Sequence, residues 1–311
     1  MKNTRIIFMG TPDFAVPVLE GLIENCEVIL VVTQPDKLVG RKQELTYSPI
    51  KELAMDNHIE VFQPEKIRED YEQILELDAD FIITCAYGQI IPKVVLDSPR
   101  IACINVHASL LPKLRGGAPI HHALIDGYSK TGVTIMYMDE KMDAGNIISQ
   151  SEYVIKETDN VETLHDTLSL MGKYLLMDTL PAILEGTNKN VAQNEEEVTY
   201  GYNIKREEEH LDFNKNCRDI FNRVRGLNPW PKANMILDGE EVKVLECYYE
   251  VRTHNYELST IFDIRKDAIG IACKDGLVYL TKIKPFGKKE MFTKDYLNGI
   301  NKDSLVGKVL K

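Results

Sequence analysis

Short apolar runs alternate with amphipathic stretches through the first 186 residues. Thr4–Met9, Val28–Val32, Phe81–Thr84, Ala102–Val106 and Thr131–Met138 are rich in β-branched and other apolar side chains, and they predict buried strands. Between them, Pro12–Asn25 predicts a helix with Pro12 in its first turn. Ser48 is placed to cap a second helix over Pro49–Asn57, with Pro49 at its first position. Thr33–Tyr47 is polar and charged and predicts a loop. Asp159-Asn160-Val161-Glu162 has the form of a capping box. Val161, Leu164, Leu168, Met171 and Leu175 follow at three- and four-residue steps, the stripe of a long helix that Gly186 ends.

Strands alternating with helices predict an α/β domain, a Rossmann-like and mostly parallel sheet with helices on both faces. In such sheets ligands bind beyond the carboxyl ends of the strands, so chemistry is sought in the loops that follow them. The texture then changes. Thr187–Glu209 is polar and weakly periodic, and Cys217–Arg225 predicts a short helix. Val242–Tyr249, Thr260–Ile264, Ile269–Cys273 and Val278–Lys284 are short strands punctuated by glycines, which predicts a small β-barrel. The expected organisation is a catalytic domain over 1–186, a linker over 187–209 and a smaller domain over 210–311.

The 311 residues are 44% hydrophobic and 27% charged, an ordinary globular mix that excludes disorder and fibrous repeats. No apolar run reaches 18 residues, and the N-terminus has no apolar signal core, so a cytoplasmic protein without membrane attachment is expected. Six scattered cysteines without a C-x-x-C spacing predict reduced core thiols and no metal site. The net charge is −11, carried by residues 1–205 with 18 basic and 31 acidic side chains. Residues 206–311 hold 19 basic and 17 acidic, which permits a polyanion partner at that end without requiring one.

Candidate chemistry lies after two strands. Asn105 and His107 are one residue apart at a strand end, so the two-residue period puts them on one face. An amide donor and an imidazole converging on one small group suit a carbonyl carbon that develops an oxyanion, and His107 can exchange a proton near neutral pH. A satisfied histidine at an ordinary strand end has the same pattern. Asp143, in the turn after Thr131–Met138, could hold the His107 tautomer, although an Asp-Ala-Gly turn alone reads as a loop. No nucleophile elbow surrounds Ser109, which favours direct transfer to an amine over a covalent enzyme intermediate. Gly10-Thr11-Pro12 is neither a phosphate-binding loop nor a dinucleotide fingerprint, so a dinucleotide-binding oxidoreductase is excluded. His121-His122 reads as structural.

Asn105-x-His107, the Ser-Leu-Leu-Pro-x-x-Arg-Gly run from Ser109 to Gly116, and Asp143 together resemble the folate-dependent formyltransferases and hydrolases. The resemblance extends over roughly residues 2–310. It includes Phe8–Phe14, Thr33–Asp36, Gly40-Arg41, Ser48–Lys51, Ala86–Pro92, Val198–Tyr200, Leu211–Phe213, Asn228–Pro231 and Pro285–Lys289. It implies transfer of the formyl group of 10-formyltetrahydrofolate, without a metal, to the α-amino group of methionine on initiator methionyl-tRNA. Asn105, His107 and Asp143 match the family's catalytic trio. Tyr87, Gly88, Gln89, Ile90 and Ile91, with Ser109, Leu110, Leu111 and Pro112, match its folate pocket. Lys37, Arg41 and Lys42 are the cations of the loop that matches the family's inserted loop, which reaches the tRNA acceptor end. The C-terminal part resembles the family's oligonucleotide-fold (OB-like) barrel, on which Lys282, Lys284, Lys288 and Lys289 are the candidate phosphate contacts.

Asn146 stands where the family commonly has Asp, and Gly117 where it commonly has Ala; neither touches the trio. Two other readings remain open: the same chemistry on an amino-sugar nucleotide, and a tRNA-binding module without catalysis. No obligate protein partner is visible.

Overall fold

The computed structural model describes residues 1–39 and 44–310, with no side-chain description at residue 39. The elements run β1 (Arg5–Gly10), α1 (Val16–Asn25), β2 (Glu27–Val32), β3 (Lys37–Val39), β4 (Glu44–Thr46), α2 (Pro49–Asp56), β5 (Val61–Phe62) and α3 (Glu72–Leu75). Then come β6 (Phe81–Cys85), α4 (Lys93–Leu96), β7 (Ala102–His107), α5 (Pro119–Ile125), β8 (Lys130–Tyr137), β9 (Ile147–Val154) and α6 (Val161–Leu184). The remainder is α7 (Cys217–Gly226), β10 (Ala233–Leu237), β11 (Glu240–Val251), β12 (Ile261–Ile264), β13 (Ile269–Cys273), β14 (Gly276–Lys284), β15 (Met291–Phe292) and α8 (Thr293–Asn298).

The chain forms two compact units. The first comprises residues 1–119, 130–154 and 165–202, and the second residues 120–129, 155–164 and 203–311. The segment expected as a linker over 187–209 is thus shared, with 187–202 packed in the first unit and 203–209 in the second.

The first unit is built on a seven-stranded sheet of order β5-β2-β1-β6-β7-β8-β9. Pairing is parallel from β5 to β7 and antiparallel for β7-β8 and β8-β9. The β6 sequence Phe-Ile-Ile-Thr-Cys is buried at every position, as a strand covered on both faces requires. Along the outer strand β9 no position is buried, and half-buried and exposed residues begin to alternate, so its weak apolar signal escaped the sequence pattern. On α6, Gly172 lets the helix close on the sheet: a Cβ there would meet Val106 Cγ1 at 2.9 Å.

Local signals account for the starts of α2 and α6. The Ser48 hydroxyl accepts from the Lys51 amide at 3.1 Å, with Pro49 opening α2 as expected. At α6, Asn160 Oδ1 accepts from the Thr163 amide while Thr163 Oγ1 accepts from the Asn160 amide, so the reciprocal cap uses Thr163 rather than Glu162. Pro12 precedes the helix instead of opening it: a short 3₁₀ turn covers Asp13–Ala15, and Pro17 lies in the first turn of α1. The polar 33–47 segment is not wholly a loop, since β3 and β4 pair within it as a two-stranded antiparallel sheet.

The second unit carries the expected all-β texture as a six-stranded antiparallel sheet, β10-β11-β14-β13-β12 with β15 on β14. Its core gathers Phe213, Cys217, Ile220 and Val224 against Val244, Ile271, Val278 and Leu280. Among the described residues no helix is long and apolar enough to cross a membrane.

Candidate active site

Asn105 and His107 lie on β7, and His107 is its last residue. Thr84 on β6 is the register partner of Asn105, and the Thr84 hydroxyl donates to Asn105 Oδ1 at 2.8 Å. An amide oxygen so occupied leaves the Asn105 NH₂ as the group that can donate elsewhere. His107 is 6% exposed. Its Nε2 lies 3.1 Å from the carbonyl oxygen of Leu114, which can only accept, so Nε2 carries a proton. Its Nδ1 faces Asp143 Oδ1 at 3.7 Å. Asp143 Oδ2 accepts from the Gly116 amide at 2.8 Å.

The route of Asp143 to this position differs from a purely parallel sheet. β8 is antiparallel to β7, with Tyr137 opposite Ile104 and Thr134 opposite His107. The 138–146 loop therefore leaves the sheet beside the amino-terminal half of β7, not at its carboxyl end, and doubles back to reach His107. Gly145 permits the return. A Cβ there would lie 1.8 Å from the Tyr137 carbonyl oxygen, a distance no side chain can take. Asp143 itself is held at φ 51°, a conformation uncommon outside glycine.

A cavity of about 300 Å³ lies where β7 begins and β8 ends; Asn105, His107 and Asp143 do not line it. It is lined by Leu96, Cys103, Tyr137, Met138, Asp139 and Glu140, with Lys93, Asp97, Ile101 and Ala102. Cys103 precedes Asn105 by two residues on β7, and Met138 Sδ is 3.6 Å from the Thr84 hydroxyl that holds Asn105. Leu96, Ile101, Cys103 and Met138 supply an apolar part of the lining, and Lys93, Asp97, Asp139 and Glu140 make the rest charged. None of these lining residues was assigned to the folate pocket from the sequence, although Cys103 sits on the same alternation as Asn105 and His107.

The expected folate residues divide. Tyr87 and Ile91 are buried beneath the surface, and Ile90 is exposed. The Tyr87 hydroxyl is buried without a hydrogen-bond partner, and burial pushes its pKa upward. Gly88 takes φ 87°. The Gln89 side chain is consumed locally: Oε1 accepts from the Ile67 amide at 2.8 Å, and Nε2 points at the carbonyls of Pro64 and Glu65. The Ser109–Pro112 turn is likewise tied inward. Ser109 Oγ donates to the Lys113 carbonyl, and the Leu111 amide and carbonyl engage Thr134 and Gln150. Leu110 is half-buried. None of the four lines the cavity, and several of the turn's polar groups are committed inside the fold.

Of the expected tRNA contacts, Arg41 and Lys42 lie outside the described residues. Lys37 is exposed on β3. In the second unit Lys284, Lys288 and Lys289 are exposed, while Lys282 pairs with Glu246 at 3.4 Å. Phe286 and Phe292, 67% and 60% exposed, are interleaved with these lysines.

One cluster was invisible in the sequence. Cys217 and Cys273, 56 residues apart, bring their Sγ atoms to 2.9 Å beside Asp275. Two thiolates on one tetrahedral zinc would sit about 3.8 Å apart, given Zn–S bonds of ~2.3 Å. Asp275 Oδ1 already accepts from the Cys217 amide at 2.7 Å, and burial pushes both thiols up. The cluster reads as a packed thiol pair in the core of the second unit.

The fold and this constellation define a formyl-transfer scaffold, and comparison with known proteins agrees. Residues 4–180 match the model of the formyl transferase family, and residues 203–301 match that of the formyl transferase C-terminal domain. The chain belongs to the formyl transferase family. It is 49% identical over 310 residues to a methionyl-tRNA formyltransferase of Staphylococcus aureus strain MW2, covering 99% of both chains. Among solved structures it is similar in fold to WlaRD, a sugar 3N-formyl transferase solved with dTDP and 5-N-formyl-THF (TM-score 0.69, 21% identity, 93% of this chain and 100% of that one). It is similar also to an N-formyltransferase from Helicobacter canadensis in complex with folinic acid and dTDP-3-aminofucose (TM-score 0.67, 22% identity, 90% and 99% coverage).

Proposed function

We propose that this chain transfers the formyl group of 10-formyltetrahydrofolate to the α-amino group of methionine on initiator methionyl-tRNA. The observation that carries the reading is the convergence of Asn105, His107 and Asp143 in a chain 49% identical end to end to a methionyl-tRNA formyltransferase.

The pterin end of the donor is assigned to the cavity, against Leu96, Cys103 and Met138, with backbone groups of 138–140 among its polar lining. The amine attacks the formyl carbon directly. As the C–N bond forms, negative charge develops on the formyl oxygen, and the Asn105 NH₂ is the preset donor for it. The amine becomes positive and must lose a proton, while the departing folate nitrogen must gain one. His107 is the group that relays it. Its Nε2 proton is anchored on Leu114, and a proton gained at Nδ1 points at the Asp143 carboxylate. The product is the formamide of methionyl-tRNA and tetrahydrofolate.

The acceptor is assigned to tRNA on two grounds. The full-length relative names that substrate, whereas the sugar formyltransferases match only at the level of fold. The exposed Lys284, Lys288 and Lys289 around Phe286 and Phe292 also suit a phosphate-tracking surface with stacking positions. The test is a formylation assay with 10-formyltetrahydrofolate and three acceptors: methionine-charged initiator tRNA, methionine-charged elongator tRNA and a 4-amino-sugar nucleotide. Formylation of the initiator species alone is expected. Formylation of the sugar alone would overturn the acceptor and keep the trio.

A further inference from the structure

The trio is held by a strap from far along the chain, in the stretch whose sequence reads as a linker. Arg115 follows Leu114, the residue whose carbonyl accepts from His107, and its side chain is 4% exposed. Its Nε and Nη2 both donate to Gln193 Oε1, at 3.0 and 2.9 Å. The same guanidinium pairs with Glu195 at 2.9 Å. The other end of the Gln193 amide is equally committed. Nε2 donates to the backbone carbonyls of Asp143 at 2.7 Å and Gly145 at 2.8 Å. One amide thus joins the loop that holds the histidine to the loop that holds the carboxylate.

The backbone repeats the connection. The Thr199 hydroxyl accepts from the Leu114 amide at 2.9 Å, and the Thr199 carbonyl accepts from the Arg115 amide at 2.9 Å. The Gly201 amide then donates to the Arg115 carbonyl at 2.8 Å. Asp143, held at positive φ, has its carboxylate on Gly116 and its carbonyl on Gln193. A residue in that conformation stays there only when its surroundings fix it.

We propose that Gln193, seated on the buried Arg115, is a positioning residue for the formyl-transfer site: its amide fixes the Asp143 turn against the loop that carries the His107 contact. It touches no reacting group and acts through Asp143. This rests on the reading of the trio given above.

The experiment is a double-mutant cycle on the full chain: wild type, Gln193→Glu, Asp143→Asn and the double variant. Gln193→Glu is close in shape and keeps an oxygen for Arg115, but it removes the N–H donors to Asp143 and Gly145. The expected result is a fall in kcat of about 10- to 100-fold, with KM for both substrates and the melting temperature nearly unchanged. In the Asp143→Asn background the same change is expected to cost less than about threefold, because residues acting through one another do not add. Gln193→Leu, which also abandons Arg115, is expected to lower kcat at least as far and the melting temperature as well. Equal losses in both backgrounds, or a kcat matching wild type in Gln193→Glu, would overturn the strap while leaving the trio intact. A folate-binding wild-type chain that formylates no acceptor would overturn both readings.

Discussion

Thr84 and Asn105 sit opposite each other on adjacent parallel strands, and the hydroxyl of the first fixes the amide of the second at 2.8 Å. The contact decides which end of the amide faces the site. With Oδ1 occupied, the NH₂ is the donor on offer. Thr84→Val preserves shape and burial but frees the amide to rotate. It is expected to lower kcat about tenfold, or ~1.4 kcal/mol of transition-state stabilisation, with little change in KM. An unchanged kcat would mean that packing alone orients Asn105.

Removal of the trio's own groups should be more severe. Asn105→Ala is expected to cost ~10²–10³ in kcat, the usual loss of one oxyanion donor. His107→Ala and Asp143→Asn should each lose most turnover while circular dichroism and melting stay close to wild type. Near wild-type turnover in either of the last two would refute the proton relay.

How much of this was legible in the sequence depended on the range of the contact. Asn105 and His107 were readable because a two-residue period needs no knowledge of the fold. The Ser48 cap was readable because its partner is three residues away. Asp143 was identified, but its path was not, since nothing in Thr131–Met138 says that β8 runs antiparallel. The cavity wall at Leu96 and Met138 is assembled from separate segments that share no local pattern. Gln193 was hidden more completely. Its partners are 50 and 78 residues distant, and two of its contacts are to backbone carbonyls, which leave no mark on side-chain identity. Gln89 shows the same limit: its side-chain amide faces the 64–67 segment, a contact no local pattern announces.

Gly145 gives a prediction of a different kind. Gly145→Ala places a methyl on the Tyr137 carbonyl, so the loop must open. A loss of about 1–3 kcal/mol in stability is expected, together with a fall in kcat because Asp143 shares the loop. Thermal melting and steady-state kinetics check the two effects separately. A variant as stable and active as wild type would show that the loop has a second route home.

The Asp36–Lys51 pair should give the fold a pH dependence in acid. Lys51 donates to Asp36 at 2.5 Å and Gln63 donates at 2.8 Å, and together they hold the Asp36 carboxyl below the usual carboxylate range. A carboxyl lowered in the folded state contributes its stability above the unfolded value near 3.9 and loses it as pH falls through the folded value. Asp36→Asn is therefore expected to be less stable than wild type by about 1–2 kcal/mol at neutral pH, with the gap closing below about pH 4. Denaturant titrations at several pH values measure it. A gap independent of pH would mean that shape, not charge, is lost.

The lysines of the second unit predict a salt effect. Replacing Lys284, Lys288 and Lys289 together by Ala should weaken tRNA binding at low salt. It should also reduce the slope of log affinity against log salt by roughly 2–3, at about 0.7–0.9 per phosphate contact. The kcat at saturating tRNA should be unchanged. An unaltered slope would remove these lysines from the interface.

Because β8 runs against β7, the 138–146 loop has to span a set path over the sheet before Asp143 meets His107. A residue inserted or deleted there would shift the chain by up to ~3.5 Å, nearly the whole separation of carboxylate and ring. Replacements of exposed side chains such as Met142 leave that span untouched. For this stretch of chain the constraint that the geometry sets is its length, and the counting starts at Tyr137.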